Sequence, residues 1–388
     1  MAWELKKVEE QRKQLIELYF DGTLSMTEIC DRFGVSRKTG YKWIHRYNEL
    51  GDKGLLDLPK SPKNPHTVYS DEIVKKAISL KLKHINWGPK KILILLKRTY
   101  PEKLCPSERR LYDIFKANGL VTKRRIRRRV PATEPLKSVQ APNDTWMGDF
   151  KGWFRTGNGQ KCEPFTLTDG QSRYVIRCLH LRKKNAHNVW MIIETAFLEH
   201  GLPKHFRTDN GPPFGSTAAG RITALSVNLI KAGVMPEWIE PGHPEQNGRH
   251  ERFHLTLKQE VAMPPAKTLT AQNRLMQDFV YEYNFERPHE ALDMKTPSEC
   301  YGCSPRSWDG KLRSPEYDSS EGDVRKVGQS GTITIRGIEY YVGQALSGEY
   351  IQLKEDDQFK KVYYGPLVLG CFNEESGFKK IKNKKIRK

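Results

Sequence analysis

No stretch of this 388-residue chain approaches the roughly 18 to 20 consecutive apolar residues that a membrane-crossing helix requires, so a spanning protein is not expected. Acidic residues are scarce beside basic ones: 46 Asp and Glu against 66 Lys and Arg give a net charge of +20 and a pI near 9.5. This imbalance favours a polyanionic partner, nucleic acid first, because each phosphate neutralised by Lys or Arg releases condensed counterions. Cysteine is sparse as well. Seven scattered residues, an odd number, do not read as a disulfide framework, and a reducing cytoplasm fits them better. Cys300 and Cys303 make one Cys-x-x-Cys, but no second Cys or His pair stands at zinc-finger spacing from it, so no structural zinc is expected. Met1-Ala2-Trp3-Glu4-Leu5-Lys6-Lys7 lacks the apolar core of a signal peptide, which argues against secretion.

What the chain does have is length for two to four domains and a patterning that changes along it. Apolar positions Val8, Leu15, Ile16, Leu18 and Tyr19 predict an amphipathic helix over 7–20. Ser25 and Glu28 form a capping box for a second helix, Gly34 suits a tight turn, and Ser36 can cap a third helix through Tyr47. This helix–turn–helix spacing puts Arg37, Lys38, Thr39, Lys42 and Arg46 on or near one face of a candidate DNA-recognition helix, with Tyr41, Trp43 and Ile44 supplying apolar surface. A small bundle whose charges merely face water is the competing reading. A polar, proline-containing linker is expected at 58–66. Three more helices, at 71–82, 89–97 and 107–118, make a second helical module. Lys123, Arg124, Arg125, Arg127, Arg128 and Arg129 then form a basic arm, with a solvated linker as the alternative.

After Pro142 strands alternate with helices. Strands are predicted at 144–154, 163–168, 174–180 and 204–208, with helices at 185–200, 224–231 and 248–261 and an extended segment at Trp238 and Ile239, in the order βββαβαβα of a mixed α/β sheet. Three carboxylates stand out on this frame. Asp149 lies in the first strand, on the face opposite Trp146 and Phe150; Asp209 ends a strand ahead of the turn-formers Asn210 and Gly211; Glu251 follows Asn247-Gly248 on the last helix. His254, Leu255 and Lys258 follow Glu251 at helical offsets. A carboxylate cluster of this kind can hold two divalent ions about 3.5 to 4 Å apart, the arrangement that stabilises both oxygens of a phosphodiester displacement.

Thr208-Asp209-Asn210-Gly211 together with Pro241-Gly242-His243-Pro244-Glu245-Gln246-Asn247-Gly248-Arg249-His250-Glu251-Arg252 resembles the integrase-core transposases of bacterial insertion sequences, relatives of retroviral integrases. The similarity covers about 143–261 and extends through Tyr283-Asn284-Phe285-Glu286-Arg287-Pro288-His289 and Thr296-Pro297. The resemblance implies a ribonuclease-H-like core in which Asp149, Asp209 and Glu251 form an Asp-Asp-Glu triad holding two Mg2+ (or Mn2+) ions. It further implies cleavage at the element's ends to expose 3′-hydroxyls, their transfer to target DNA without a nucleotide cofactor, and a homo-oligomer on double-stranded DNA in a bacterial cytoplasm. His254 and Lys258 would then hold DNA near the scissile phosphate. Glu245 is the misassignment to avoid, and Asp169 is family-like but structural. Glu251 stands 42 positions after Asp209, longer than in the retroviral relatives, with the extra residues around 216–222.

Residues 304–323 suit a linker, and strands from 332 onward, with a hairpin at Gly337, suggest a small β-barrel ending in a basic tail of Lys379, Lys380, Lys382, Lys384, Lys385, Arg387 and Lys388. The expected organisation is a helix–turn–helix domain at 1–58, a second helical domain at 67–122, a basic linker at 123–141, the integrase core with its helical tail at 142–302 and the β-barrel at 322–388. Two other classes compete with an active transposase: a DNA-binding repressor with an inert core, and a nuclease that cuts branched DNA without joining it.

Overall fold

The computed structural model describes residues 8–57, 69–121, 139–240, 243–356, 359–373 and 376–380, without the side chains at 244 and 245. The expected linker at 58–66, the basic arm from Lys123 to Arg129, Pro241 and Gly242, the Glu245 side chain and the tail beyond Lys380 lie outside the described residues. The chain divides into two units, Met1–Val68 and Tyr69–Lys388.

The first unit is built from α1 (Val8–Asp21), α2 (Met26–Phe33) and α3 (Arg37–Leu50), with a 3-10 turn over Gly51–Leu55. The Ser25–Glu28 capping box forms in full, and Gly34 closes α2 at φ 64°, a left-handed conformation that costs a glycine little. Ser36 caps α3 by accepting from the Thr39 amide. Leu15, Ile16, Ile29, Cys30, Trp43 and Ile44 meet in the centre. Gly40 allows α3 to approach α2 closely: a Cβ there would stand 2.7 Å from the Cys30 Sγ and 2.9 Å from the Met26 Sδ.

The second unit opens with α4 (Asp71–Lys83), α5 (Pro89–Thr99) and α6 (Glu108–Ala117), packed around Trp87, Ile92, Leu96, Leu111 and Phe115. A mixed α/β layer follows: β1 (Thr145–Phe150), β2 (Phe154–Arg155), β3 (Lys161–Cys162), β4 (Pro164–Asp169), β5 (Val175–His180), α7 (Ala186–His200), β6 (His205–Thr208), α8 (Ala224–Lys231), β7 (Met235–Trp238) and α9 (Gly248–Val261). Its sheet runs β5-β4-β1-β6-β7, antiparallel where β1 meets β4 and β4 meets β5, parallel where β1 meets β6 and β6 meets β7. The first strand is shorter than predicted. Gly152, at φ +83°, turns the chain after Phe150, and Phe154 pairs with Cys162 in a separate hairpin.

One face of the sheet packs Trp146, Phe165, Leu167 and Phe206 against α7 and α8. The other lays Val175 and Cys178 against Phe253, Leu257 and Val261 of α9 and Met276 and Phe279 of α10 (Leu269–Tyr281). A π-helical turn at Glu282–Glu286 follows, then the short α11 (Pro297–Cys300). Edge strand β5 is sealed by side-chain amides: Asn284 accepts from the Val175 amide and donates to its carbonyl, both at 2.9 Å, while Gln277 donates to the Cys178 carbonyl at 3.2 Å.

Residues 304–323, expected as a linker, are strapped to the core. Arg306 donates to the carbonyls of Pro203 (2.7 Å) and Gly233 (2.6 Å), and Trp308 meets Trp190 and Phe197 edge-on. The chain ends in β8 (Asp323–Lys326), β9 (Thr332–Ile335), β10 (Ile338–Tyr341), β11 (Tyr350–Asp356), β12 (Phe359–Tyr364), β13 (Leu367–Asn373) and β14 (Gly377–Lys380). Strands β9 and β10 form the hairpin foreseen at Gly337, with positive φ at both Arg336 and Gly337. The other five make an antiparallel sheet, β14-β13-β12-β11-β8, which among the described residues is open rather than a closed barrel. Its apolar face is covered by Ala219, Ile222, Val227 and Ile230 from α8 and the segment before it, so burial is achieved without closure.

Candidate active site

Asp149 sits in β1 opposite Thr166 of β4. Trp146 and Phe150 point into the core against α7 and α8, leaving Asp149 on the face that α9 covers. Asp209 follows the last residue of β6, and its Oδ1 accepts from the Gly211 amide at 3.3 Å. Its neighbour Asn210 is fixed from both sides, donating to the Ile239 carbonyl at 2.7 Å and accepting from Arg221. Glu251 lies exposed in the first turn of α9.

Electrostatics tie the three together. Burial pushes the Asp149 carboxyl up to about 7, and the negative charges of Asp209 and Glu251 add to the rise; the Phe150 amide, donating at 2.7 Å, and the Lys184 ammonium act in the opposite direction. Asp209 is raised by its own burial, against the Gly211 amide and the same Lys184. The three elements predicted from sequence thus bring Asp209 and Glu251 within electrostatic reach of Asp149. Carboxylate oxygens of this kind suit a hard divalent cation. Among the described residues, however, the group with ligand atoms within 4.8 Å of one another at this place is Asp149 with His250 and His254, not Asp149 with Asp209 and Glu251.

Around Asp149 runs a hydrogen-bonded network that sequence reasoning missed. Thr166 Oγ1 donates to the Asp149 carbonyl at 3.0 Å, and the same oxygen meets His250 Nε2 at 2.7 Å and His254 Nε2 at 2.8 Å. Thr168 Oγ1 lies 2.9 Å from His250 Nδ1. Burial drives both imidazoles towards neutrality, with pKa values pushed down to about 3 at His250 and about 2 at His254, where the neighbouring His250 contributes as well. Expectation and structure differ at His254. It is 8% exposed and packed on β4 instead of standing on the exposed stripe with Glu251, Leu255 and Lys258, so it offers no surface to a DNA phosphate.

Lys258 is exposed as expected. It has cationic company: Lys151 is half-buried, its pKa lowered first by burial and then by the charge of Lys258. Lys184, from the segment between β5 and α7, pairs with Glu163 and lies 4.4 Å over the Phe150 ring. The signal for Lys151 was its shared strand face with Asp149; Lys184 had none, since tertiary packing alone brings it in. Asp169 is structural, at 1% exposure, accepting from the amides of Asn143 (2.7 Å) and Ser172 (2.7 Å) and from the Ser172 hydroxyl (2.7 Å).

In the first unit Arg37, Lys38 and Lys42 project into solvent, with Tyr41 beside them at 53% exposure. The other two predicted residues have local duties. Thr39 is hydrogen-bonded to the Ser36 cap at 3.0 Å, and Arg46 stacks on Trp43 at 4.6 Å while donating to the Leu56 carbonyl at 2.7 Å.

Two family models described as "Integrase core domain" match this chain, over residues 139–244 and 232–297. A "Helix-turn-helix domain" matches residues 11–63 and a "Homeodomain-like domain" residues 39–115. The chain thus carries an integrase core together with helix–turn–helix domains, on the mixed α/β fold described above. Among known proteins it is 26% identical to an uncharacterized 31.7 kDa protein of insertion element IS407 from Burkholderia multivorans, over 71% of this chain and 93% of the other. It is 26% identical to an uncharacterized 39.2 kDa protein of insertion element IS476 from Xanthomonas euvesicatoria, over 58% of this chain and 63% of that one. With the transposase for transposon Tn552 from Staphylococcus aureus it shares 24% identity, over 66% of this chain and 56% of that one, so it spans little more than half of that relative's length. Among solved structures, the HTLV-2 integrase catalytic core domain in complex with magnesium aligns at 18% identity and a TM-score of 0.33, covering 42% of this chain and 97% of that one. No helix among the described residues is long and apolar enough to cross a membrane.

Proposed function

We propose that this chain is the transposase of an insertion element, which binds the element's terminal repeats, cleaves at the ends to expose 3′-hydroxyls and joins them to target DNA. The observation that supports the reading is that Asp209, at a strand end, and Glu251, on a helix, both lie close enough for their charges to raise the Asp149 carboxyl. Two bound Mg2+ or Mn2+ ions would activate the attacking hydroxyl and stabilise the leaving oxygen. Asp149, Asp209 and Glu251 would hold the ions, Asp149 serving both and Asp209 and Glu251 one each. The fixed Asn210 holds the turn after Asp209 in place, and Lys151, Lys184 and Lys258 supply positive charge for the DNA backbone beside the carboxylates. No nucleophilic Ser or Cys and no nucleotide is needed. Arg37, Lys38 and Lys42 read the element end, and two copies or more pair the ends. The predicted domain boundaries stand as part of this proposal.

The test is joining of a labelled element end to plasmid DNA. Wild-type protein is expected to join in Mg2+ or Mn2+, to stop with a chelator, and to be inert when Asp149→Asn, Asp209→Asn and Glu251→Gln are combined. Joining by the triple variant would refute the assignment, and cleavage without any joined product would favour a nuclease.

A further inference from the structure

His254 stands beside Asp149 in a way that exposed-surface duties do not explain. Its Nδ1 lies 3.8 Å from Asp149 Oδ2, too far for a hydrogen bond. Ligand atoms of Asp149, His250 and His254 all lie within 4.8 Å of one another. The network around Thr166 decides where the protons are. A threonine hydroxyl has a single proton, and that of Thr166 goes to the Asp149 carbonyl, which can only accept. Both Nε2 atoms facing Thr166 Oγ1 must therefore donate to it. In a neutral imidazole the other nitrogen then carries a lone pair. For His250 that lone pair accepts from Thr168 and is spent, and the ring is 1% exposed. For His254 it faces Asp149 Oδ2 across 3.8 Å, a gap that no direct hydrogen bond spans. Two donor atoms so placed can share a cation.

We propose that His254, through Nδ1, is a nitrogen ligand to the divalent cation held by Asp149, giving that position a mixed oxygen–nitrogen donor set that favours a transition-series ion such as Mn2+ over Mg2+. This rests on the reading of Asp149 as a metal ligand. The supporting frame is the one metal-binding histidines use: the second ring nitrogen donates to a fixed acceptor, which sets the tautomer and the ring orientation. Here the acceptor is Thr166, itself anchored on the backbone of the carboxylate ligand, so β1, β4 and α9 hold both donors in register. Imidazole suits transition ions, while carboxylate and water alone serve Mg2+ equally well.

The experiment is pulsed electron paramagnetic resonance of Mn2+ bound to the untagged full-length protein, unlabelled and with 15N-histidine. Wild type is expected to show nitrogen modulation from a directly bound imidazole, changing from the 14N to the 15N pattern on labelling; this comparison needs no variant to fold. In His254→Gln the modulation is expected to disappear and Mn2+ affinity to fall about tenfold, with Mg2+ affinity changed much less. Mn2+ bound in an Asp149-dependent manner without nitrogen modulation, or modulation that persists in His254→Gln, would overturn the inference while leaving the carboxylate site standing. If Asp149→Asn leaves Mn2+ binding unchanged, the carboxylate reading fails first and the inference with it.

Discussion

The helix–turn–helix unit and the carboxylate site solve opposite problems. In the first, the basic residues Arg37, Lys38 and Lys42 sit on one helix, are exposed, and follow a local device, the Ser36 cap at the start of α3. In the second, each group comes from a different element, Asp149 and Asp209 are partly shielded from water, and the charge of Asp209 adds to the rise of the Asp149 carboxyl. Binding a phosphate backbone needs charge that water can reach and the partner can displace. Phosphodiester chemistry needs charge gathered where water is thin and a metal can compensate it.

That contrast can be broken in either direction. The largest effect is expected from single substitutions at the carboxylates: Asp209→Asn or Glu251→Gln should lower joining by roughly a thousandfold or more while end binding, measured by gel shift, stays within about threefold of wild type. Next comes Gly40→Val, which forces side-chain atoms into Cys30 and Met26. It should destabilise the first unit by about 1 to 3 kcal/mol in denaturant unfolding. A helix–turn–helix unit that tolerated it without loss would show that α2 and α3 do not depend on that close approach.

A smaller effect sharpens the other side. With metal chelated, the folded protein keeps the Asp149 proton up to about pH 7, whereas the unfolded chain releases it in the ordinary carboxylate range. The unfolded state therefore binds fewer protons across that window, and this group makes stability fall as pH rises through it, with no further loss above. Asp149→Asn should match wild type near pH 4 and exceed it by about 1 to 3 kcal/mol at pH 8; equal unfolding midpoints at both pH values would remove the crowding argument. Smallest is the combination of Arg37→Ala and Lys42→Ala. Affinity for the element end should fall about tenfold at matched salt, with a shallower salt dependence, while joining of pre-bound ends proceeds.

Much of this was legible in the sequence because it is written locally. Capping residues announced α2 and α3, alternation and turn residues announced the sheet, and the motifs around Asp149, Asp209 and Glu251 placed them on a strand, at a strand end and on a helix, where the structure has them. What sequence could not reveal depends on convergence. Thr166 and Thr168 read as ordinary strand residues, and only the packing of α9 onto β4 makes them partners of His250 and His254. The same packing turned His254 from an expected surface contact into a buried one. Residues 304–323 looked like a linker because they are polar, yet Arg306 spends its polarity on carbonyls of the core.

The segment between Asp209 and α8 belongs to two neighbourhoods at once. Arg221 grips Asn210, the residue next to Asp209, while Ala219 and Ile222 on either side of it are sunk in the apolar layer beneath the C-terminal sheet. Lys380, on the outermost strand of that sheet, clasps the Thr217 carbonyl at 2.8 Å. The terminal sheet is thus joined to the turn after Asp209 by an unbroken run of contacts, through Thr217, Ala219, Ile222 and Arg221.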